Sequence, residues 1–304
     1  MHRTRVLYAT DGSSGAEQAL ELLIGGFEPS GVETVEVISV VARVARGLGS
    51  RPEEAGAPET IIDAAHSEAA QRIVRDASQR LQEAGFQTVE TVRAGHPAET
   101  IVTHASVRRP DLVLLGTRGL SGLSRQLVGS VSGKVARYAP ASVLVARTPG
   151  PIRRVVLGYD ASPDADLALD GVGSLPLRQG ISVTVCTAYE VVAPLRSGIA
   201  PTMFAQVDAA RREDLRLARK AADAIAADAT RRLVERGVDA TPRVSHGSPH
   251  EQLAILASEL AADLLVVGSR GLSGIQRFFL GSTSATLVAH PPTSVLVARR
   301  NPDA

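Results

Sequence analysis

The residues best suited to chemistry form a glycine pattern that occurs twice in the chain. Each copy reads Gly-x-x-Gly, then nine residues, then Gly-Ser, and the second copy follows the first at an offset of 152 residues. Spaced glycines that expose backbone N–H groups, followed by a serine hydroxyl, suit an anion such as phosphate. The matched residues are Gly116, Gly119, Gly129 and Ser130 in the first copy, and Gly268, Gly271, Gly281 and Ser282 in the second.

The elements around the pattern are expected to point it at a ligand. The apolar run 112–115 predicts a buried parallel strand. Gly116 follows at its carboxyl end, where open α/β sheets bind ligands, and glycine there allows a positive φ and close approach to the backbone. Gly129 and Ser130 then open a short helix, whose first N–H groups and positive dipole end favour an anion.

Polar and basic side chains inside the pattern are further candidates. The hydroxyls of Ser130 and Ser132 are expected to donate to the anion, and arginines are expected to add positive charge. The pattern lacks the Lys-Ser/Thr ending of the P-loop and is not the compact Gly-x-Gly-x-x-Gly dinucleotide turn. The arginines are Arg118 and Arg125 in the first copy, and Arg270 and Arg277 in the second.

This arrangement resembles the ATP-binding motif of the universal stress protein family, and the resemblance covers nearly the whole chain, twice. It implies ATP, possibly with Mg²⁺, in one adenine-nucleotide site per half. It also implies a nucleotide-dependent regulator of the stress response. The sequence has no Gly-x-Ser-x-Gly elbow, no His-Glu-x-x-His motif and no Cys cluster, which favours such a regulator, with no catalytic residues, over an enzyme. The implied binding residues are Asp11, Val41, Gly116, Arg118, Gly119, Gly129, Ser130, Val131 and Ser132, then Asp160, Gly268, Arg270, Gly271, Gly281, Ser282, Thr283 and Ser284.

Two of these residues have a second interpretation. Asp11 is a candidate cap for the helix that follows the first strand and a candidate ligand anchor at the strand end. The two roles can coexist, and the recurrence of the residue as Asp160 favours the anchor. The two aspartates are also candidates to help hold Mg²⁺. Val40 and Val41 read as core residues from the sequence alone, and only the resemblance places them at the adenine wall.

The fold follows from the repeat. The chain is predicted to form two tandem Rossmann-like, adenine-nucleotide α-hydrolase-like domains, at 1–148 and 152–300. Each is expected to be a five-stranded parallel sheet with helices on both faces, and the resemblance supplies the strand order 3-2-1-4-5. It also implies that the two halves pair through their fifth strands as an intrachain pseudo-dimer, while pairing of the whole chain into a homodimer stays open.

Composition excludes several classes of function. The 304 residues carry a net charge of +1 with 3% aromatic residues and no Trp, which disfavours nucleic acid and membrane surfaces as partners. No apolar run approaches the roughly 20 residues that span a bilayer, so a cytoplasmic protein is expected. The single Cys186 lies in an apolar strand pattern and is expected to be a buried thiol.

Several alternatives stay open at this point. A weak ATPase, an adenylylating enzyme and a non-binding scaffold all compete with the regulator. The irregular stretches 46–59 and 191–202 suit either a lid or a plain surface connection. Lys134 has Thr286 as its counterpart, so it either makes the two sites unequal or lies on the outer face of its helix.

Overall fold

The structure is a computed structural model, and it describes residues 3–42, 61–117, 129–191, 204–271 and 280–300. The chain divides into two compact units. The first consists mainly of Met1–Pro151, and the second of Ile152–Leu175 and Gln179–Arg299.

The first unit is a parallel sheet with strand order β3-β2-β1-β4-β5. This is the order that the resemblance implied, and the fold-class prediction is therefore confirmed. The strands are β1 (Thr4–Ala9), β2 (Val32–Val41), β3 (Thr88–Ala94), β4 (Leu112–Gly116) and β5 (Ser142–Ala146). The helices are α1 (Ser14–Gly26), α2 (Ile61–Glu83), α3 (Pro97–Arg108) and α4 (Ser130–Tyr138), with a 3-10 turn at Pro29–Gly31.

The second unit repeats this plan with the order β8-β7-β6-β9-β10, also parallel. Its strands are β6 (Arg154–Gly158), β7 (Ser182–Tyr189), β8 (Asp239–His246), β9 (Leu264–Gly268) and β10 (Ser294–Ala298). Its helices are α5 (Pro163–Ser174), α6 (Phe204–Val234), α7 (Pro249–Glu259) and α8 (Ser282–Ala289).

The first strand of each unit lies at the centre of its sheet. Val6 of β1 pairs with Val35 of β2 on one side and with Leu112 of β4 on the other, and Val155 of β6 is flanked in the same way by β7 and β9. The chain therefore leaves β1 in one direction along the sheet and returns on its other side. Such a switch point opens a crevice at the carboxyl ends of the two strands.

Because helices cover both faces of each sheet, the central strands are apolar along their whole length. All five residues of β4 and all five of β9 are buried. A strand covered on both faces has no side for water, and the sequence therefore shows a continuous apolar run instead of alternation. Among the described residues, no helix is long and apolar enough to cross a bilayer.

One charged network lies inside the first unit. The side chain of Glu36 on β2 is 11% exposed, and its carboxylate accepts from Thr91 Oγ1 at 2.7 Å and from Arg108 Nε at 3.1 Å. His104 Nε2 lies 2.7 Å from the same carboxylate. Burial raises the pKa of Glu36, but the hydrogen bonds from Thr91, His104 and Arg108 outweigh it, so the pKa is lowered overall. Thr184 occupies the matching strand position in the second unit.

We expect Glu36→Gln to destabilise the protein by about 2 kcal/mol at pH 6, because a buried charged hydrogen-bond acceptor is lost. A carboxylate with a lowered folded-state pKa contributes stability above its unfolded pKa of about 4.3, and that stability is lost as the pH falls through the folded value. The deficit of the variant should therefore shrink between pH 6 and pH 3.

Urea unfolding followed by circular dichroism measures this difference. Glu33→Gln is the matched control, because Glu33 is an exposed residue of the same strand. A deficit that stays constant with pH would show that the lost contacts do not depend on the carboxylate charge.

Candidate functional site

Each unit has a cavity at the carboxyl ends of its central strands. The second unit's cavity has a volume of about 320 Å³, and all eight predicted residues of that half line it. The first unit's cavity has a volume of about 120 Å³. The predicted residues that line it are Asp11, Gly116, Val131 and Ser132, and those that line the second are Asp160, Gly268, Arg270, Gly271, Gly281, Ser282, Thr283 and Ser284.

Some predicted residues do not line the first cavity. Gly129 and Ser130 are not among its lining residues, and neither is Val41, whereas Val40 is. Successive side chains of a strand point to opposite faces of the sheet, so a cavity on one face contacts Val40 and not its neighbour. Arg118, Gly119, Arg125, Arg277 and the stretches 46–59 and 192–202 lie outside the described residues.

The strand-end aspartates form tight turns and do not cap the helices. One oxygen of Asp11 accepts a hydrogen bond from the backbone N–H of Ser13 at 3.0 Å, and Asp160 does the same with Ser162. The cap residues are Ser13 and Ser162, whose hydroxyls accept from helix N–H groups. The helix-cap interpretation of Asp11 is therefore wrong, and both aspartates line their cavities.

The first glycine of each copy is required for packing, not for an unusual backbone angle. A Cβ at Gly116 would lie 2.1 Å from the carbonyl oxygen of Gly15, and one at Gly268 would lie 2.5 Å from the carbonyl oxygen of Asp164. Neither glycine has a positive φ. The positive φ that glycine allows is not used at Gly116, and the glycine is needed because the first helix contacts the strand end directly.

The second glycine borders the aspartate in the second unit. A Cβ at Gly271 would lie 2.8 Å from Oδ2 of Asp160, and one at Gly281 would lie 3.3 Å from the Cα of Arg270. The two glycines and the aspartate therefore meet at one side of the cavity. Any larger side chain at Gly271 would occupy the space in front of the carboxylate.

The last glycine of each copy begins a helix at the cavity. The N–H of Gly129 donates to the carbonyl of Thr117 at 2.7 Å, and Gly281 donates to Ser269 at the same distance. Helices α4 and α8 start at the next residue. The first N–H groups of a helix have no carbonyl partner within it, and they suit an anion at this end of the cavity.

A buried serine fixes each of these helix starts to its strand. The hydroxyl of Ser132 donates to the carbonyl of Gly116 at 2.6 Å, and that of Ser284 donates to Gly268 at 2.6 Å. Each hydroxyl hydrogen is therefore engaged by the backbone. This corrects the expectation that Ser132 donates to an anion, since its role here is to join helix and strand.

The other wall of each cavity is apolar. Ile38 and Val40 of β2 line the first cavity with Pro97 and Ile101 of α3. Cys186 and Ala188 of β7 take the strand positions in the second cavity, with Pro249 and Leu253 of α7. Burial raises the pKa of the Cys186 thiol to about 11, so the thiol is protonated at neutral pH.

The charges near the second cavity include a residue that the sequence analysis missed. The carboxylate of Asp164 accepts from Arg270 Nε at 3.2 Å and from the hydroxyl of Ser269. Its side chain is 14% exposed, and that of Arg270 is 35% exposed. An acidic residue in a first helical turn is common, so only its position beside Arg270 sets Asp164 apart.

A second missed group stabilises the wall formed by Tyr159. Its hydroxyl donates to Asp166 at 2.7 Å and accepts from Arg232 at 2.8 Å. Burial, with the neighbouring Asp166, raises the pKa of Tyr159 to about 12. The phenol therefore stays neutral, and its ring is fixed beside the cavity.

Lys134, the position that differs between the two copies, is exposed on α4 and is not among the described lining residues. This position agrees with the alternative that Lys134 lies on the outer face of its helix. In the part of the chain that the structure describes, no group of three or more His, Cys, Asp or Glu side chains is placed to hold a metal ion.

Two parallel α/β units in one chain, each with a crevice at its switch point, define a tandem protein of the doubly wound class. A model of the universal stress protein family matches residues 2–147 and again residues 151–299. The chain therefore belongs to the universal stress protein family.

Individual relatives agree with this assignment. The universal stress protein YxiE of Bacillus subtilis is 29% identical over 146 residues, which is 47% of this chain and 98% of the relative. A universal stress protein of Mycolicibacterium smegmatis is 28% identical over 240 residues, 76% of this chain and 75% of the relative. The crystal structure of a universal stress protein from Archaeoglobus fulgidus shares the fold, with a TM-score of 0.63 at 22% identity over 99% of this chain and 100% of that one.

The close contact at Gly116 gives a direct test of the site architecture. Gly116→Ala should destabilise the first unit by at least about 3 kcal/mol, because the added methyl group meets a backbone oxygen and not a movable side chain. Gly133→Ala is the matched control. A Cβ at Gly133 has nothing within 4 Å, and Ala is the better helix former, so this variant should gain about 0.5–1 kcal/mol.

Urea unfolding of the full-length variants measures both changes. Wild-type stability for Gly116→Ala would contradict the direct contact between the strand end and helix α1.

Proposed function

We propose that each unit binds an adenine nucleotide, ATP, and that the protein is a nucleotide-dependent regulator of the stress response and not an enzyme. The observation that carries the proposal is the second cavity. There a carboxylate, an arginine, two loop glycines and the first turn of α8 line one side, while Cys186, Ala188 and Leu253 line the other. One cavity thus offers an anion-binding side and an apolar side, as a nucleotide requires.

The polar side fits phosphates. The unpaired N–H groups at the start of α8 and the guanidinium of Arg270 would bind phosphate oxygens, as would the corresponding start of α4 in the first unit. Bulky side chains are excluded at Gly271, so a phosphate can approach the backbone closely. The apolar side would bind the adenine ring by excluding water from its faces.

Each cavity offers one carboxylate, among its described lining residues, that could hold a magnesium ion. Asp11 and Asp160 are the only carboxylates among the described residues that line the two cavities. Mg²⁺ commonly takes one carboxylate together with phosphate oxygens and water. Asp160 would hold the ion through Oδ2, while its Oδ1 accepts from the turn N–H, and Asp11 is the matching candidate in the first unit.

The single carboxylate among the described lining residues of each cavity supports a regulator over a dedicated hydrolase. Hydrolysis of a phosphate chain is fast when separate groups position the water and hold the metal. Each cavity presents one aspartate among its described lining residues, and that aspartate is already part of a turn. Binding would order the residues around the phosphates, and the regulatory effect would follow from that change. Pairing of the two halves through their fifth strands, and of whole chains, stays a prediction.

The nucleotide content of the purified protein tests the proposal first. We expect about two equivalents of adenine nucleotide per chain after denaturation, or on titration calorimetry with ATP and Mg²⁺. Absence of nucleotide together with absence of heat on titration would refute the proposal.

Gly271→Val should remove binding from the second unit alone, because its side chain would fill the space in front of Asp160. Titration calorimetry should then give about one equivalent instead of about two. Gly171→Val is the matched control, since a Cβ at Gly171 of α5 has nothing within 4 Å. Unchanged stoichiometry in Gly271→Val would show that ATP does not use this cavity.

A further inference from the structure

The two units differ in one charge beside the predicted phosphate position. Asp164, the second residue of α5, has Gly15 as its counterpart in α1, because Asp160 and Asp11 align and four residues separate each pair. The two helix starts otherwise correspond, since Ser162 and Ser13 both cap their helices. The acidic side chain at this position is therefore particular to the second unit.

Asp164 is placed to act on the anion-binding side of the cavity. It contacts the Nε of Arg270, which lines the cavity, while Asp164 itself is not a lining residue. The hydroxyl of Ser269 and the packing of the α5 backbone against Gly268 fix its position. The negative charge therefore lies at a fixed place beside Arg270, next to the lining of the cavity.

A second arginine, Arg299, interacts electrostatically with both Asp164 and Arg270. Arg299, just after β10, is charged at neutral pH, although burial and the repulsion of Arg270 lower its pKa to about 10. Asp164 opposes that effect by its attraction. Asp164 thus offsets two guanidinium groups, whereas the first unit has Arg118 and Arg147 at the matching sequence positions and glycine in place of the aspartate.

We propose that Asp164 tunes the nucleotide selectivity of the second site. With the carboxylate present, this site prefers ATP over AMP less strongly than it would if the carboxylate were absent. The inference rests on the proposed nucleotide function and concerns the selectivity of the same site. A fixed negative charge opposes every anionic ligand, and it opposes ATP more than AMP because ATP carries more negative charge. The first site, with glycine at this position, is then the more selective for triphosphate.

Cys186 provides a way to measure the second site by itself. It is the only cysteine of the chain, it lines the second cavity, and Ile38 takes its place in the first. The rate at which a small thiol reagent modifies Cys186 in the full-length protein should fall as nucleotide fills this cavity. The half-protecting concentrations of ATP and AMP then give their relative affinities at the second site. Each variant is compared with its own ligand-free rate, so differences in local opening cancel.

The variants are Asp164→Asn, which keeps the shape and removes the charge, and Asp164→Gly, which reproduces the first unit. Both should raise the preference for ATP over AMP by roughly threefold to tenfold. Asp170→Asn is the control, because Asp170 is on the same helix and pairs with Arg236 at 2.8 Å. It changes the net charge equally and should leave the preference unchanged.

The outcomes separate the inference from the proposed function. ATP protection of Cys186 with an unchanged preference in Asp164→Asn would overturn the inference alone. A lower preference for ATP in that variant would also overturn it, since it would mean that Asp164 is needed to orient Arg270. No protection by ATP or AMP in the wild type would overturn nucleotide binding at this site, and the inference with it.

Discussion

The structure of each site depends on one contact between backbones. The end of the fourth strand meets the first turn of the first helix so closely that a Cβ at Gly116 would lie 2.1 Å from the oxygen of Gly15. The second unit repeats the contact at Gly268 and Asp164. Because strand and helix are in contact here, the aspartate turn before the helix and the loop after the strand must lie side by side. The crevice between them is the cavity.

A hydrogen bond completes this arrangement from the other side. Ser132 and Ser284 join the start of the helix after the glycine loop to the carbonyl of that same first glycine. The N–H groups of the helix start are thereby fixed relative to the strand ends, and this preorganisation would lower the cost of binding the proposed anion.

The apolar runs and the repeat predicted two parallel α/β units, whereas the strand order within each sheet and most of the proposed binding residues came from the family resemblance. All eight residues predicted for the second half meet at one cavity. What the sequence left open has a common cause, which is that sequence gives positions along the chain but not side-chain directions. Of Val40 and Val41 at the end of β2, Val40 lines the first cavity, and the hydroxyl of Ser132 contacts a backbone carbonyl. Asp164 could not be distinguished from an ordinary acidic residue of a first helical turn until its contact with Arg270 was visible.

Two positions that differ between the copies lie in different places relative to the cavities. Lys134 follows the glycine loop directly, yet it is exposed on the outer side of its helix. Asp164 lies more than 100 residues before the second loop, yet it contacts the arginine of that loop because β6 and β9 are neighbours in the sheet. Because Asp164 contacts Arg270 without lining the cavity, a substitution there would change the charge beside the cavity and leave in place the glycines that both units need for packing. Under the proposed nucleotide function, divergence between the two copies is expected first in the charges behind the cavity wall, where a substitution would change ligand preference at little cost to the fold.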